Sequence, residues 1–393
     1  MAGGLTSTLL CINSGSSSLK FAVYALPVVD QGQCLAEGAV ERIGQSVGRL
    51  WIQTANTDRH EERGHFADPG TALAALFRSL DTLSCPRPAA VGHRVVSGGP
   101  RRLEHTRIDT DVLQDLRNAL AFAPLHLPAE IAAIEAVAAS WPEIPQVACF
   151  DTAFHRDIPE VAARFPLPRN LWHEGVRKYG FHGLSYEYIV SQLPDAGRGR
   201  SIVAHLGNGA SLAAIADGRC LDTSMGLTPT GGVVMGTRSG DLDPGVLLYL
   251  IEEKGYNGPQ LERLLNRLAG MLAISGVSGD VQTLLAQRDK EPHVAQALDI
   301  FAYSVRKTIG AYMAVLGGLD RLVFTGGIGE HAAPLRWSIC RPLEGLGIRL
   351  DPVANTDARR CISREDSPIE VLVIPTNEDL TIARHTQRIA SLA

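Results

Sequence analysis

Two stretches nearly two hundred residues apart carry the same pattern: Cys11 to Tyr24 reads CINSGSSSLKFAVY, and Ser201 to Gly218 reads SIVAHLGNGASLAAIADG. Each is an apolar run, a short turn of Asn, Gly and Ser, and a second apolar run. Parallel strands need a crossover of a dozen or more residues, so a turn this short predicts a hairpin of antiparallel strands. A chain that opens two segments with one hairpin predicts two duplicated domains of related fold. The length agrees, because 393 residues exceed what one hydrophobic core organises. The boundary is expected near residue 150, giving domains 1–150 and 151–379.

Further apolar runs of strand length, AAVGHRVV, QVACFDTAF, RLVFTGG and EVLVIPT, alternate with longer helical patterns. The clearest helix is expected over 294–316, where apolar residues recur every three or four positions before Gly317 and Gly318. Another is expected over 259–269. Alternation of this kind predicts an α/β architecture. With 45% hydrophobic and 20% charged residues and a net charge of -5, nothing is basic enough to suggest nucleic acid as a partner. Seven cysteines without CxxC spacing predict buried free thiols and a reducing, cytoplasmic compartment. MAGGLTSTLL has neither a charged leader nor a long apolar region, so neither secretion nor membrane insertion is expected. The short HEERGH of His60 to His65 lacks HExxH spacing and reads as a polar surface turn.

Small residues admit a ligand close to the backbone, and turn amides with Ser hydroxyls form a concave anion site. Neither hairpin turn matches GxxxxGK[ST], so a P-loop is excluded. VFTGGIGE, Val323 to Glu330, misses GxGxxG spacing and reads as a glycine turn that lies against a flat ligand such as a base. Polar groups stand out in apolar or glycine-rich settings: Arg94 in GHRVVSGG, Asp151 in CFDTAFH, His182 in RKYGFHG, Arg238 in MGTRSGDLDPG and Glu378 in IPTNEDL. Two arginines, two acids, a histidine and anion-binding turns are the parts needed for phosphoryl transfer. An arginine fork matches a carboxylate or a phosphoryl group, and an acid at a strand end can hold Mg²⁺.

INSGSSSLKF, GHRVVSGG, FDTAFH, KYGFHG, HLGNGASL, MGLTPTGGVVMGTRSGDLDPG, FTGGIGE and PTNEDL follow one another in the order found in the acetate kinase family, which the chain resembles over nearly its whole length. The resemblance implies two duplicated actin-like (ribonuclease H-like) ATPase domains with an interdomain nucleotide cleft, and a terminal helix over 380–393 that packs back on the first domain. It implies reversible transfer of phosphoryl from ATP to acetate, giving acetyl phosphate and ADP, with Mg²⁺ or alternatively Mn²⁺, in a cytoplasmic homodimer. By motif, Arg94, Asp151, His182 and Arg238 are the expected catalytic groups, and Arg94, Val96, Leu125, Phe181 and Pro229 border the carboxylic acid. Asn13, Ser16, Ser18 and Lys20 line one phosphate side. His205, Asn208, Gly209 and Ser211 line the other. Gly327, Ile328, Gly329 and His331 border the adenosine, and Asn13 and Glu378 hold the metal. The pattern is departed from at Ser97, Leu127, Gly231 and His331, where His, Asn, Glu and Asn are more usual. A kinase of propionate or butyrate is the nearest rival reading. An actin-like ATPase that acts on a protein partner is the more distant one.

Overall fold

The structure is a computed structural model that describes residues 7–15, 17–54 and 59–392. The chain divides into two compact units, Met1–Arg156 with Asn377–Ala393, and Asp157–Thr376.

In the first unit the opening hairpin pairs β1 (Thr8–Ser14) antiparallel with β2 (Ser18–Ala25). The meander continues through β3 (Cys34–Glu41), β4 (Gly48–Thr54) and β5 (His60–Gly64). On the other side of β1, β6 (Pro88–Val95) and β8 (Gln146–Phe150) run parallel, and the short β7 (Thr106–Arg107) closes the edge. Both faces of β1 are covered. Leu10 and Ile12 enter a core with Leu73 and Leu76 of α1 (Pro69–Thr82) and Val137 of α3 (Leu127–Ser140). Between them in sequence, Cys11 donates its thiol to the Asp379 carbonyl of the C-terminal helix, Glu378–Ile389. A strand covered on both faces reads as a continuous apolar run, which is how TLLCIN reads. Helix α1 starts where Asp68 and Thr71 form a reciprocal cap and Pro69 supplies the first turn. Helix α2 (Thr110–Asn118) packs beside α3.

The second unit repeats the arrangement. Its sheet runs β11 (Arg219–Thr223), β10 (Ala210–Ala216), β9 (Arg200–Leu206), β12 (Arg321–Thr325) and β13 (Glu370–Val373). Strand β9 pairs antiparallel with β10 and parallel with β12, as β1 does with β2 and β6. Around it lie α4 (Gly183–Gln192), α5 (Pro244–Glu252), α6 (Gly258–Arg267), α7 (Val281–Leu285), α8 (Pro292–Leu316), α9 (Gly326–His331) and α10 (Ala333–Cys340). Helix α8 buries the expected stripe and stops at Gly317, whose φ of 66° suits glycine.

Two local expectations change. His60 to Gly64 is not a turn but an edge strand on β4, where its charged side chains face water and Glu61 pairs with Arg49. The glycines after β12 do not form an open turn either, because Gly326 to Gly329 wind into α9. None of the seven cysteines is in a disulfide, and four of them are buried. Among the described residues no helix is long and apolar enough to cross a membrane.

Gly92 of β6 shows how closely the C-terminal helix is seated: a Cβ there would lie 2.1 Å from Thr386 Oγ1 and 2.6 Å from Ile382 Cγ2. Gly92→Val should therefore lower stability by about 1–3 kcal/mol through overpacking, read as a lower denaturant midpoint. An unchanged midpoint would show that the helix can move away.

Candidate functional site

The parallel strands of the first unit gather one set of expected residues at their carboxyl ends. Register sets Asn13 of β1 beside Arg94 of β6, and Arg94 beside Cys149 of β8, two residues before Asp151. The Asp151 amide donates to the Val95 carbonyl at 3.0 Å, which returns the chain toward Arg94. Arg94 then donates through Nη2 to Asp151 Oδ2 at 2.5 Å and through Nη1 to Asn13 Oδ1 at 3.2 Å. Its Nε lies 3.8 Å from Glu378 Oε2. Burial works against the Arg94 charge, but the carboxylates of Asp151 and Glu378 outweigh it and hold the guanidinium protonated above its ordinary range. Asp151 is 1% exposed and Arg94 17%, so the fork is fixed yet reachable.

Glu378 is not at a strand end but in the first turn of the C-terminal helix, whose cap is Asn377 accepting from the Leu380 amide. Apart from the 3.8 Å approach of Arg94, its carboxylate oxygens take no hydrogen bond among the described residues. That donor set suits Mg²⁺, which takes one or two carboxylates and keeps several waters. Lys20 is exposed on β2, opposite Asn13 in register, and Ser18 begins that strand half-buried. Val96 is 2% exposed and Leu125 half-buried. Ser16 lies outside the described residues.

In the second unit His182 stands before α4 in a left-handed conformation, φ 60°. Its Nδ1 shares a 2.8 Å hydrogen bond with Ser211 Oγ of β10, and that hydroxyl shares another, 2.5 Å, with Tyr186. The imidazole stacks on His205, ring centroids 4.2 Å apart, and Ser185 holds His205 Nδ1 at 2.8 Å. With Nδ1 committed, Nε2 is the atom that His182 turns to the Asn208–Gly209 turn. A Cβ on Gly209 would lie 3.3 Å from Arg238 Nη1 and 3.6 Å from His182 Nε2, so the missing side chain is what leaves both nitrogens facing one space. Arg238 is braced by donating Nη1 to the Pro229 carbonyl at 3.1 Å. Phe181, beside His182, is buried at 2% exposure.

A cavity of about 590 Å³ opens beside this turn, lined by Gly207, Asn208, Asp280, Val281, Gln282, Leu285, Gly327, Ile328, His331 and Ala332. That volume falls within the range of small-molecule sites. Nothing would meet a Cβ on Gly327, and His331 lies largely exposed at the rim, whereas Gly329 is on the buried side of α9, toward Phe324 and Ala204, and does not line the cavity. Arg336, 1% exposed, donates to the Gly329 and Glu330 carbonyls and so closes the end of the six-residue α9. Glu330 Oε1 accepts from the Gly326 and Thr376 amides, tying α9 to the segment after β13.

Sequence reasoning did not single out the Asp280–Leu285 wall, the Ser185 and Tyr186 supports, or Glu330 and Arg336. Of these, Glu330 lay within a quoted motif, and Arg336 could have drawn notice as a lone cation in the apolar run of α10.

The profile of the Acetokinase family matches residues 8–384. The chain is 46% identical to the acetate kinase of Rhodopseudomonas palustris strain ATCC BAA-98 / CGA009, covering 98% of this chain and 99% of that one. Its fold is that of solved relatives: a propionate kinase from Francisella tularensis (TM-score 0.91) and Porphyromonas gingivalis acetate kinase (TM-score 0.88). Each is 36% identical, with 98% of this chain and 100% of the other covered.

Replacing one member of the buried pair at β6 and β8 leaves the other charge uncompensated. Asp151→Asn should cost about 3–5 kcal/mol of unfolding free energy. Chemical denaturation measures this, and a loss under about 1 kcal/mol, the size of an exposed pair, would show the site to be better solvated than its burial implies.

Proposed function

The chain belongs to the acetokinase family and is a phosphotransferase that acts on a carboxyl group; from that premise we propose that it transfers phosphoryl reversibly from ATP to acetate, giving acetyl phosphate and ADP. The observation that carries this reading is the pair of braced guanidinium forks. Arg94 is oriented by Asp151 and Asn13, and Arg238 is held by the Pro229 carbonyl next to the Gly209 turn and His182 Nε2. Acetate is already an anion at neutral pH, so no general base is required. The work reduces to positioning the carboxylate and neutralising the transferring group.

In this reading Arg94 receives the acid, with Val96, Leu125, Phe181 and Pro229 around its methyl group. Arg238 and His182 stabilise the charge on the moving phosphoryl. Asn13, Ser16, Ser18 and Lys20 serve one phosphate side, and His205, Asn208, Gly209 and Ser211 the other. The cavity beside α9 accepts the nucleoside against Gly327 and Ile328, with His331 at its rim, whereas Gly329 faces Phe324 and Ala204 of the sheet and does not line it. Glu378 and Asn13 would hold Mg²⁺ through oxygen, Asn13 Oδ1 while also accepting from Arg94. The ion, when bound, neutralises phosphate charge. Propionate is the second reading, favoured by the overlay on a solved propionate kinase as good as that on the acetate kinases.

The cellular site of action in this reading is the cytoplasm, and the active form is a homodimer. The dimer is supported by α5, which buries none of its residues although Val246, Leu248, Tyr249 and Ile251 are 41–56% exposed, with Leu242 and Leu268 nearby in exposure at 44% and 46%. Large apolar side chains left exposed together on one helix mark a protein contact. Leu248→Glu should convert the dimer to monomer in light scattering. A wild type already monomeric would remove the proposal.

Trapping acyl phosphate with hydroxylamine in the presence of ATP and acetate, propionate or butyrate tests the reaction itself. Acetate should exceed propionate by roughly 10- to 200-fold in kcat/KM, the worth of one methylene in an apolar pocket. Arg94→Ala and Arg238→Ala should each lower kcat by about 10²-fold or more. Faster turnover of propionate would move the assignment to that acid, and full activity in both variants would remove the arginines from the site.

A further inference from the structure

One buried acid beside Arg94 has no part in the reaction as described. Glu130 sits in the first turn of α3 and is 1% exposed. Its Oε2 accepts the Val96 amide at 3.1 Å, and its Oε1, buried as well, has no hydrogen-bond partner among the described residues. Val96 follows Arg94 by two residues, so the carboxyl group grips the strand end that carries both the fork and the wall assigned to the acid's methyl group.

We propose that Glu130 is a positioning residue of the carboxylate subsite: as a neutral acid it anchors the Val96 backbone and leaves the charge of Arg94 to the incoming acid, and as an anion it competes with that acid for Arg94. The inference rests on the carboxylate-kinase reading above.

The surroundings favour the neutral form. Burial pushes the Glu130 carboxyl up to about 8, against the pull of Arg94 and of the Val96 amide, and Asp151 adds to the rise. The other elements packed on α3 bring no compensating charge. Strand β1 has no ionisable acid or base other than Cys11, α1 carries Arg78 and Asp81 on its exposed side, and α2 exposes Asp111 and Arg117. Asp115 of α2 is taken by Arg101 and Arg102. On β6, His93 bonds Gln146 and is held neutral by burial, down to about 4, and Arg94 is the cation that pulls on Glu130; His126, half-buried, caps the start of α3 one turn before it. An acetate ion that approaches Arg94 therefore meets the carboxyl groups of Asp151 and Glu378, and at alkaline pH the charge of Glu130 as well.

The test compares wild type with Glu130→Gln, whose amide oxygen can still accept from Val96 but cannot ionise. At saturating ATP, the wild-type KM for acetate should rise about 5- to 10-fold between roughly pH 7 and pH 9.5, the scale of one like-charge contact in a partly buried site, with kcat changing under about twofold. In Glu130→Gln the KM should stay flat over that window. A second reading needs no substrate. A carboxyl raised from its ordinary 4.5 to about 8 contributes stability below pH 4.5 that is lost as pH climbs through 8, so the Tm of wild type should fall relative to the Gln variant across that interval. A variant that keeps the wild-type KM profile, or a Tm difference constant with pH, overturns the proposal. Should the variant fail to accumulate, a wild-type KM that stays flat overturns it by itself. Absence of acyl hydroxamate with any acid at any pH would defeat the proposed function instead, and the Tm comparison would still judge the ionisation of Glu130.

Discussion

The structure depends on keeping one cation, Arg94, charged and aimed inside a parallel sheet. A guanidinium taken out of water gains little from a single partner in net stability, since desolvation offsets much of the attraction. What the Asp151 pairing supplies is orientation. The fork is held at two nitrogens by Asp151 and Asn13, and Glu378 approaches the third. Three segments far apart in sequence must end side by side for this to happen, and the register of β1, β6 and β8 is what brings them together.

The two units share a strand order but put their hairpin turns to different use. In the first, the residues that matter lie on the strand ends beside the turn, Asn13 above all. In the second, the turn residue itself matters: Gly209 leaves room where Arg238 and His182 both look. Duplicated topology thus presents a carboxylate-braced arginine in one unit and a carbonyl-braced arginine in the other. A solved acetate kinase and a solved propionate kinase share this fold over nearly their whole length.

Behind each functional group stands a buried polar support. Tyr186 and Ser211 fix the tautomer-bearing edge of His182, Ser185 fixes His205, and Arg336 with Glu330 secures a helix too short to hold its own ends. Such supports limit the reorganisation that a site would otherwise undergo when charge moves through it.

Much of this was legible in the residues alone. The paired hairpins, the α/β alternation and the long helix ending at Gly317 follow from local rules, because turn length, apolar period and glycine stops act within a few residues of one another. The eight motifs also marked Arg94, Asp151, His182, Arg238 and Glu378 as unusual polar groups in apolar settings. Tertiary structure decided the rest. The glycines after β12 became a helix whose start is satisfied by its own Glu330 and whose end is closed by the buried Arg336 of α10, and HEERGH became a strand because β4 offered an edge to pair with. Glu130 gave no signal in an ordinary helix-forming stretch, since its burial arises from the packing of α3 against β6. Which carboxylates ionise, and which atom of His182 faces outward, are set by neighbours dozens of residues away. No local pattern records those contacts, because hydrogen bonding and desolvation act through space and not along the chain.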